Sequence, residues 1–321
     1  MPPIIKKLIA NSQLQPYHKN EGGGLNSQLR AFIRQQHATW PALATAQKEL
    51  SGAMKRTLRL SDSCVELQHN PGRTRSTTAK VSSDELAKRP CFLCPANLYP
   101  EQLALPFSAN WLILNNPFPI FRDHLTICSA HHINQLLEPA LLVMVNLVAE
   151  LEGSFSAFYN GARCGASAPD HLHFQACPAK MLPLERQLRA LLEKPERGEA
   201  PWSFHTLDNR GIGLCKAVSA PELLEHLQSM YAHLNRSVGP GQEEDLNLIV
   251  FGSPGMLAAA HLPRRAHRPA CFFASGDDQI IISPGAVDVG GLAILPRKQD
   301  FERMTSKKML SIYQEVCLPM S

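Results

Sequence analysis

The chain has 321 residues, 44% hydrophobic and 19% charged, enough apolar content to bury the core of one large or two coupled domains. Its 32 basic and 28 acidic residues leave a net charge of +4, too small an excess to argue for a nucleic-acid partner, and its 7% aromatics form no stripe interleaved with basic residues. No stretch reaches the roughly 18 apolar residues of a membrane span, Met1-Pro2-Pro3 opens no apolar secretory signal, and nine scattered cysteines describe no disulfide scaffold; the expected location is the cytoplasm.

Residues 1–60 read as helical, because Leu29, Phe32 and Ile33, then Leu43, Ala46, Leu50 and Met54, recur at three- and four-residue steps. Glu21-Gly22-Gly23-Gly24 interrupts them as a turn and lacks the strand-to-helix setting of a phosphate loop. From Cys64 the pattern alternates. Residues 64–69, the turn Asn70-Pro71-Gly72 and residues 73–81 predict a β-hairpin, from which Arg73 and Arg75 project together into solvent or toward a phosphate. Cys91-Phe92-Leu93-Cys94 is the one CxxC pair. On spacing alone it is open to zinc, redox chemistry or coincidence, and two histidines from later strands would complete a tetrahedral site.

The apolar runs at 111–115 and 123–127, separated by Pro117-Phe118-Pro119, predict a hairpin of a central sheet, and residues 136–152 predict a helix. In Cys164-Gly165-Ala166-Ser167-Ala168-Pro169-Asp170-His171-Leu172-His173-Phe174-Gln175, alternate residues of a strand share a face. His171, His173 and Gln175 would therefore line one surface, behind a small-residue turn able to approach a phosphate closely. A bare HxH pair is more often an ordinary polar strand face. A charged helical stretch follows at 182–199, then connecting segments to about residue 241. Strands are expected at 246–251, in a second one that ends at 261–265, and at 271–273, 280–284 and 290–297. The strand spacing of the second half echoes the first. The expected plan is a helical segment 1–60, a first unit 61–180, a helical connection 181–240 and a related second unit 241–321. Arg264, Arg265 and Arg268 read as solvated rather than as phosphate contacts.

The extended histidine string resembles the histidine-triad superfamily, in the branch whose third histidine is glutamine: galactose-1-phosphate uridylyltransferase, the GDP-hexose phosphorylases and the diadenosine tetraphosphate phosphorylases. The resemblance is strongest at 91–94, 115–127 and 160–175. It implies an α+β fold, a histidine-triad-like antiparallel sheet with flanking helices in two related halves. It further implies that His173 attacks a nucleotide α-phosphorus to give a nucleotidyl-histidine, with Gln175, Ser167 and the backbone at Gly165 as donors and His171 completing the catalytic string. Asn115, Asn116, Phe118 and Asn160 would meet the nucleoside, although Asn116 replaces the family's aspartate and Ser167 lies one residue further from the histidines. Cys91, Cys94, His171 and His132, with His131 the alternative to His132, would hold a structural zinc that braces the strand.

Glutamine in the third position implies a phosphate or sugar phosphate acceptor rather than water. The substrate expected first is a nucleotide sugar, GDP-hexose, because residues 283–291 and Asp300-Phe301 also resemble that group. Cleavage of a dinucleoside polyphosphate is the nearest rival, and a zinc-braced nucleotide-binding protein without turnover is a third reading. Expected partners are these small molecules, with neither nucleic acid nor membrane, and a homodimer left open.

Overall fold

A computed structural model describes residues 5–19, 23–79, 82–193, 200–234 and 244–320. Glu21 and Gly22 of the glycine-rich turn, Lys80 and Val81 of the expected hairpin, residues 194–199 of the charged stretch and residues 235–243 lie outside the described residues.

The N-terminal periodicity produces the helices Gly24–Thr39 and Pro41–Ser51. Leu29, Phe32 and Ile33 are buried, and each such side chain contributes roughly 1.5–3 kcal/mol. Trp40 ends the first helix, and Pro41 starts the second at the one turn where its missing amide proton costs nothing.

Twelve strands occur among the described residues: β1 (Lys55–Arg59), β2 (Cys64–His69), β3 (Leu105–Phe107), β4 (Trp111–Asn115), β5 (Leu125–Ser129), β6 (Phe155–Asn160), β7 (His173–Pro178), β8 (Trp202–Leu207), β9 (Arg210–Ala217), β10 (Leu246–Ser253), β11 (Met256–Pro263) and β12 (Leu292–Leu295). The hairpin expected after Cys64 is corrected: β2 pairs antiparallel with β1 before it, and its other edge is taken by β12, parallel to it. Residues 71–77 are helical instead, a 3-10 turn Pro71–Arg73 followed by Thr74–Thr77. Both edges of β2 are occupied, and Pro71 has no N–H to offer a ladder. Arg73 and Arg75 therefore do not share a strand face.

The remaining strands form one nine-stranded antiparallel sheet in the order β3-β4-β5-β7-β6-β10-β11-β9-β8. The hairpin of β4 and β5, the helix Leu137–Glu150 and the hairpin of β6 and β7 are followed by the same pattern in β8, β9, the helix Ala220–His233, β10 and β11. β6 and β10 join the two patterns, with Asn160 opposite Asn247 and Phe158 opposite Ile249. The second pattern thus begins at Trp202, inside the stretch expected to be a helical connection. Two expected strands are absent: Ala270–Phe273 is a helical turn, and residues 280–284 pair with no strand. Ile280 and Ile282 are buried in the core on the sheet's face rather than added to its edge.

The two long helices and the helix Gly24–Thr39 cover one face of the sheet, over Tyr159, Phe174, Ala176, Leu248 and Val250. The opposite face, with Phe158, Ile249, Phe251 and Leu262, is covered by β12, residues 280–289 and the helix Ser306–Val316. No helix among the described residues is long and apolar enough to cross a membrane.

Candidate active site and metal centre

Strand parity selects the chemistry of β7. Phe174 and Ala176 point into the helical core, so His173 and Gln175 face the other way, opposite Cys128 and Thr126 of β5. His173 is 4% exposed, and its Nδ1 lies 2.8 Å from the backbone oxygen of His171. A carbonyl only accepts, so Nδ1 carries the proton and Nε2 keeps its lone pair. Burial pushes the His173 pKa down to about 4, so the ring is neutral at physiological pH.

Gln175 is oriented from behind. His124 is buried, and its Nδ1 accepts from the Ile120 amide at 3.2 Å, which leaves Nε2–H to donate to Gln175 Oε1 at 2.9 Å. The Gln175 amide nitrogen is thereby left for the cleft. Burial, then the charge of Arg73, pushes His124 down to about 3, so this tautomer persists at any working pH.

The loop before β7 is held by both halves. Gly165 has φ +102°, and a Cβ there would lie 2.6 Å from the Gly285 Cα, so only glycine fits. Gln135 donates to the backbone oxygens of Asn160 and His173 and accepts from the His173 amide, each at 2.8 Å, which ties β6 to β7 where their ladder has ended. Asn160 Oδ1 accepts from the Ala286 amide at 2.7 Å and from Asn247 Nδ2 at 3.0 Å. Arg264 is buried and donates to Asn247 Oδ1 at 2.5 Å and to the Val316 carbonyl at 2.8 Å. It is a buried brace, not a solvated cation.

A cleft opens over this loop. Of the residues singled out in the sequence, Gln175, Asn160, Gly165, Ser167 and Arg73 line it, and so does Arg268, which was expected to be solvated. Arg73 donates to the Phe118 carbonyl at 2.9 Å, and burial draws its pKa down to about 10 against the pull of Asp288. Burial likewise raises the Asp288 carboxyl to about 6. Arg75 is exposed and outside the cleft. Asn115 is also not brought in, since its parity places it on the helical face with Trp111 and Ile113. Asn116 holds the β4–β5 turn, donating to Thr126 Oγ1 at 3.0 Å and accepting from the Phe118 amide at 2.9 Å. Phe118 lines a neighbouring cavity with Trp40 and Tyr99. The sequence reading missed His124, Gln135, Asn247 and Asp288 as parts of the site. The only signal for His124 was its even spacing to Thr126, which acquires meaning once β5 is known to pair with β7.

Cys91, Cys94, His132 and His171 bring one donor atom each to within 4.8 Å of one another. The sulfur–nitrogen separations are 3.3 Å from Cys91 to His171, 3.3 Å from Cys94 to His132 and 3.6 Å from Cys94 to His171, Nδ1 being the nitrogen each time. His171 Nε2–H donates to the Ser129 carbonyl at 2.9 Å, which fixes its Nδ1 as a lone-pair donor toward the thiols. Of the two neighbouring histidines, His132 joins the group and His131 does not.

The buried neutral histidines have a consequence for stability. His124, His173 and His267 are held at about 3, 4 and 4, while in an unfolded chain they protonate near 6.5. Between about pH 6.5 and 4 the unfolded chain therefore binds more protons, so stability is full above 6.5 and declines as pH falls through this window. Asp288, raised to about 6, opposes this with one proton against three. Urea unfolding is expected to show a loss on the order of 4–5 kcal/mol from pH 7.5 to pH 5, smaller in His124→Asn. Equal stability at the two pH values would contradict the buried neutral state.

The model of a domain of unknown function, DUF4922, matches residues 32–178, a span that contains the CxxC pair and the histidine string. No curated protein matches the chain. Among solved structures, yeast Ap4A phosphorylase superposes with a TM-score of 0.57 at 15% identity, covering 90% of this chain and 98% of that one. Its complex with AMP gives 0.54 at 15% identity, covering 90% and 97%. Its complex with Ap4A gives 0.54 at 13% identity, covering 90% and 98%. With a mixed α+β architecture, one large antiparallel sheet and flanking helices over nine-tenths of its length, the chain has the fold of yeast Ap4A phosphorylase.

Proposed function

We propose that the chain is a nucleotidyltransferase of phosphorylase type, acting through a nucleotidyl-histidine at His173. The observation that carries this is the hydrogen bond from His173 Nδ1–H to the His171 carbonyl, which leaves a neutral Nε2, without a hydrogen-bond partner among the described residues, on the strand face that bears Gln175. In the first step Nε2 bonds to the α-phosphorus, the phosphoanhydride P–O bond breaks, and its electron pair leaves on the departing phosphate oxygen. The positive charge acquired by the ring is held by the His171 carbonyl. In the second step a phosphate oxygen attacks the same phosphorus, the P–N bond breaks, and its pair returns to Nε2. The Gln175 amide and the backbone at Gly165 to Ser167 offer fixed donors to the phosphoryl oxygens.

The same reading gives the cysteine–histidine group to zinc. Zinc bonds of about 2.3 Å to sulfur and 2.0–2.1 Å to nitrogen at tetrahedral angles put the two about 3.5 Å apart, and the separations here are 3.3 to 3.6 Å. When bound, the ion would fix His171, and through its backbone oxygen the tautomer of His173, without touching substrate. We read the chain as a helical segment followed by two related halves, of which the first carries the histidine string, and place it in the cytoplasm.

For the substrate, the resemblance of residues 283–291 favours a GDP-hexose, and the likeness to a phosphorylase solved with AMP and Ap4A favours a dinucleoside polyphosphate. Incubating the protein with GDP-glucose, GDP-mannose, UDP-glucose and diadenosine tetraphosphate, with and without phosphate, separates them. Phosphate-dependent release from one substrate, with a nucleotide adduct in the intact protein mass, is expected. Nucleotide binding without adduct or turnover would assign the fold to binding alone.

A further inference from the structure

The cleft has a second wall, made by two segments far apart in sequence and far from β7. Residues 73–79 supply Ser76 and Thr77, and the chain after β11 supplies Arg268 and Ser283. Arg268 is the centre of this wall. Its Nε donates to Ser283 Oγ at 3.0 Å, one terminal nitrogen donates to the carbonyls of Thr77 and Ala79 at 3.2 and 2.9 Å, and the guanidinium lies 4.2 Å from the centre of the Phe272 ring. The fork is locked in one orientation, and its other terminal nitrogen bonds to no protein atom among the described residues. No carboxylate there lies within ion-pair distance of it.

A half-buried guanidinium without a carboxylate is costly to keep unless an anion arrives to pair with it. The neighbouring His267 shows the same positive field: burial, then Arg268 and Arg264, push its pKa down to about 4, so it adds no charge of its own. Arginine's planar fork matches phosphate geometry, and the hydroxyls of Ser76, Thr77 and Ser283 stand in the same lining.

We infer that Arg268 and the hydroxyls around it form a second oxyanion subsite, facing Gln175 and Ser167 across the cleft, that takes a phosphate group distinct from the one bonded to His173. This deepens the phosphorylase reading. Free phosphate bound there is the acceptor of the second step, and a phosphate of a nucleotide's polyphosphate tail is the other source of the same chemistry.

The test uses the full chain and needs no turnover. Binding of inorganic phosphate, AMP and ATP is measured by calorimetry for wild type, Arg268→Ala and Arg268→Gln, the last keeping amide donors for Thr77 and Ser283 while removing the charge. Thermal melts show that each variant is folded. A loss of at least tenfold in phosphate affinity in both variants, with AMP unchanged, is the expected result and identifies the acceptor site. A loss confined to ATP assigns the subsite to the polyphosphate tail. Equal phosphate and ATP affinities in wild type and Arg268→Gln, or binding of neither by wild type, overturns the inference. Because no nucleotide need be transferred, a chain that forms no adduct at His173 can still bind phosphate at Arg268, so the two failures are distinct.

Discussion

His173→Ala is expected to abolish the proposed nucleotide adduct and to slow phosphate-dependent cleavage by roughly 10⁴-fold or more, the scale on which loss of a covalent nucleophile acts. The fold survives, because the ring is held by one hydrogen bond to a neighbouring carbonyl, while the strand is held by its ladder to β5 and β6 and by Gln135. The informative comparison is with Gln175→Ala, in which Nε2 remains. That variant is expected to form the adduct slowly, by about 10²–10³-fold, since it loses one donor to the phosphoryl oxygens and not the nucleophile. Intact mass after rapid mixing with substrate separates the two. An adduct of unchanged yield in His173→Ala would place the nucleophile elsewhere.

Cys91→Ser is expected to abolish stoichiometric zinc and lower the melting temperature. Structural zinc binds with roughly 10–16 kcal/mol of apparent free energy in small peptides. Less is realised here, because His171 is already held by Ser129 and by the strand that follows it. A loss of about 3 kcal/mol corresponds to roughly 4–5 °C for a chain of 321 residues. Metal analysis of the purified protein alongside a melt checks both. Burial pushes the Cys91 thiol up to about 11, so without an ion it is an ordinary buried thiol and its replacement by serine is mild. A metal-free wild type with a melt equal to that of the variant would remove the centre from the protein.

The local patterns that survived into the fold were those whose meaning depends on one element. The three- and four-residue apolar steps of residues 24–54 gave helices because a single face of each had to be buried. The apolar run at 111–115 gave a strand, and the alternation at 171–175 placed His173 and Gln175 on one face of another before any partner strand was known. The CxxC pair was visible as a pattern, but His132 and His171, 38 and 77 residues beyond Cys94, were joined to it by the family resemblance and not by spacing.

What the chain order left open was every choice between partners. Residues 73–81 alternate well enough for a strand, but β2 had a better neighbour in β1 and another, over two hundred residues away, in β12. Asn115 and Asn116 are adjacent in sequence and differ in role because strand parity sends one to the helical core and the other to the turn. His124 became the residue that aims Gln175, Arg264 a buried brace, and Arg268 part of the cleft, only when β5 met β7 and the segment after β11 folded back over the loop that precedes β7. Periodicity and donor type are properties of a few consecutive residues. Which side chains face one another across the cleft is set by long-range pairing and by the competition of many segments for the same buried surface.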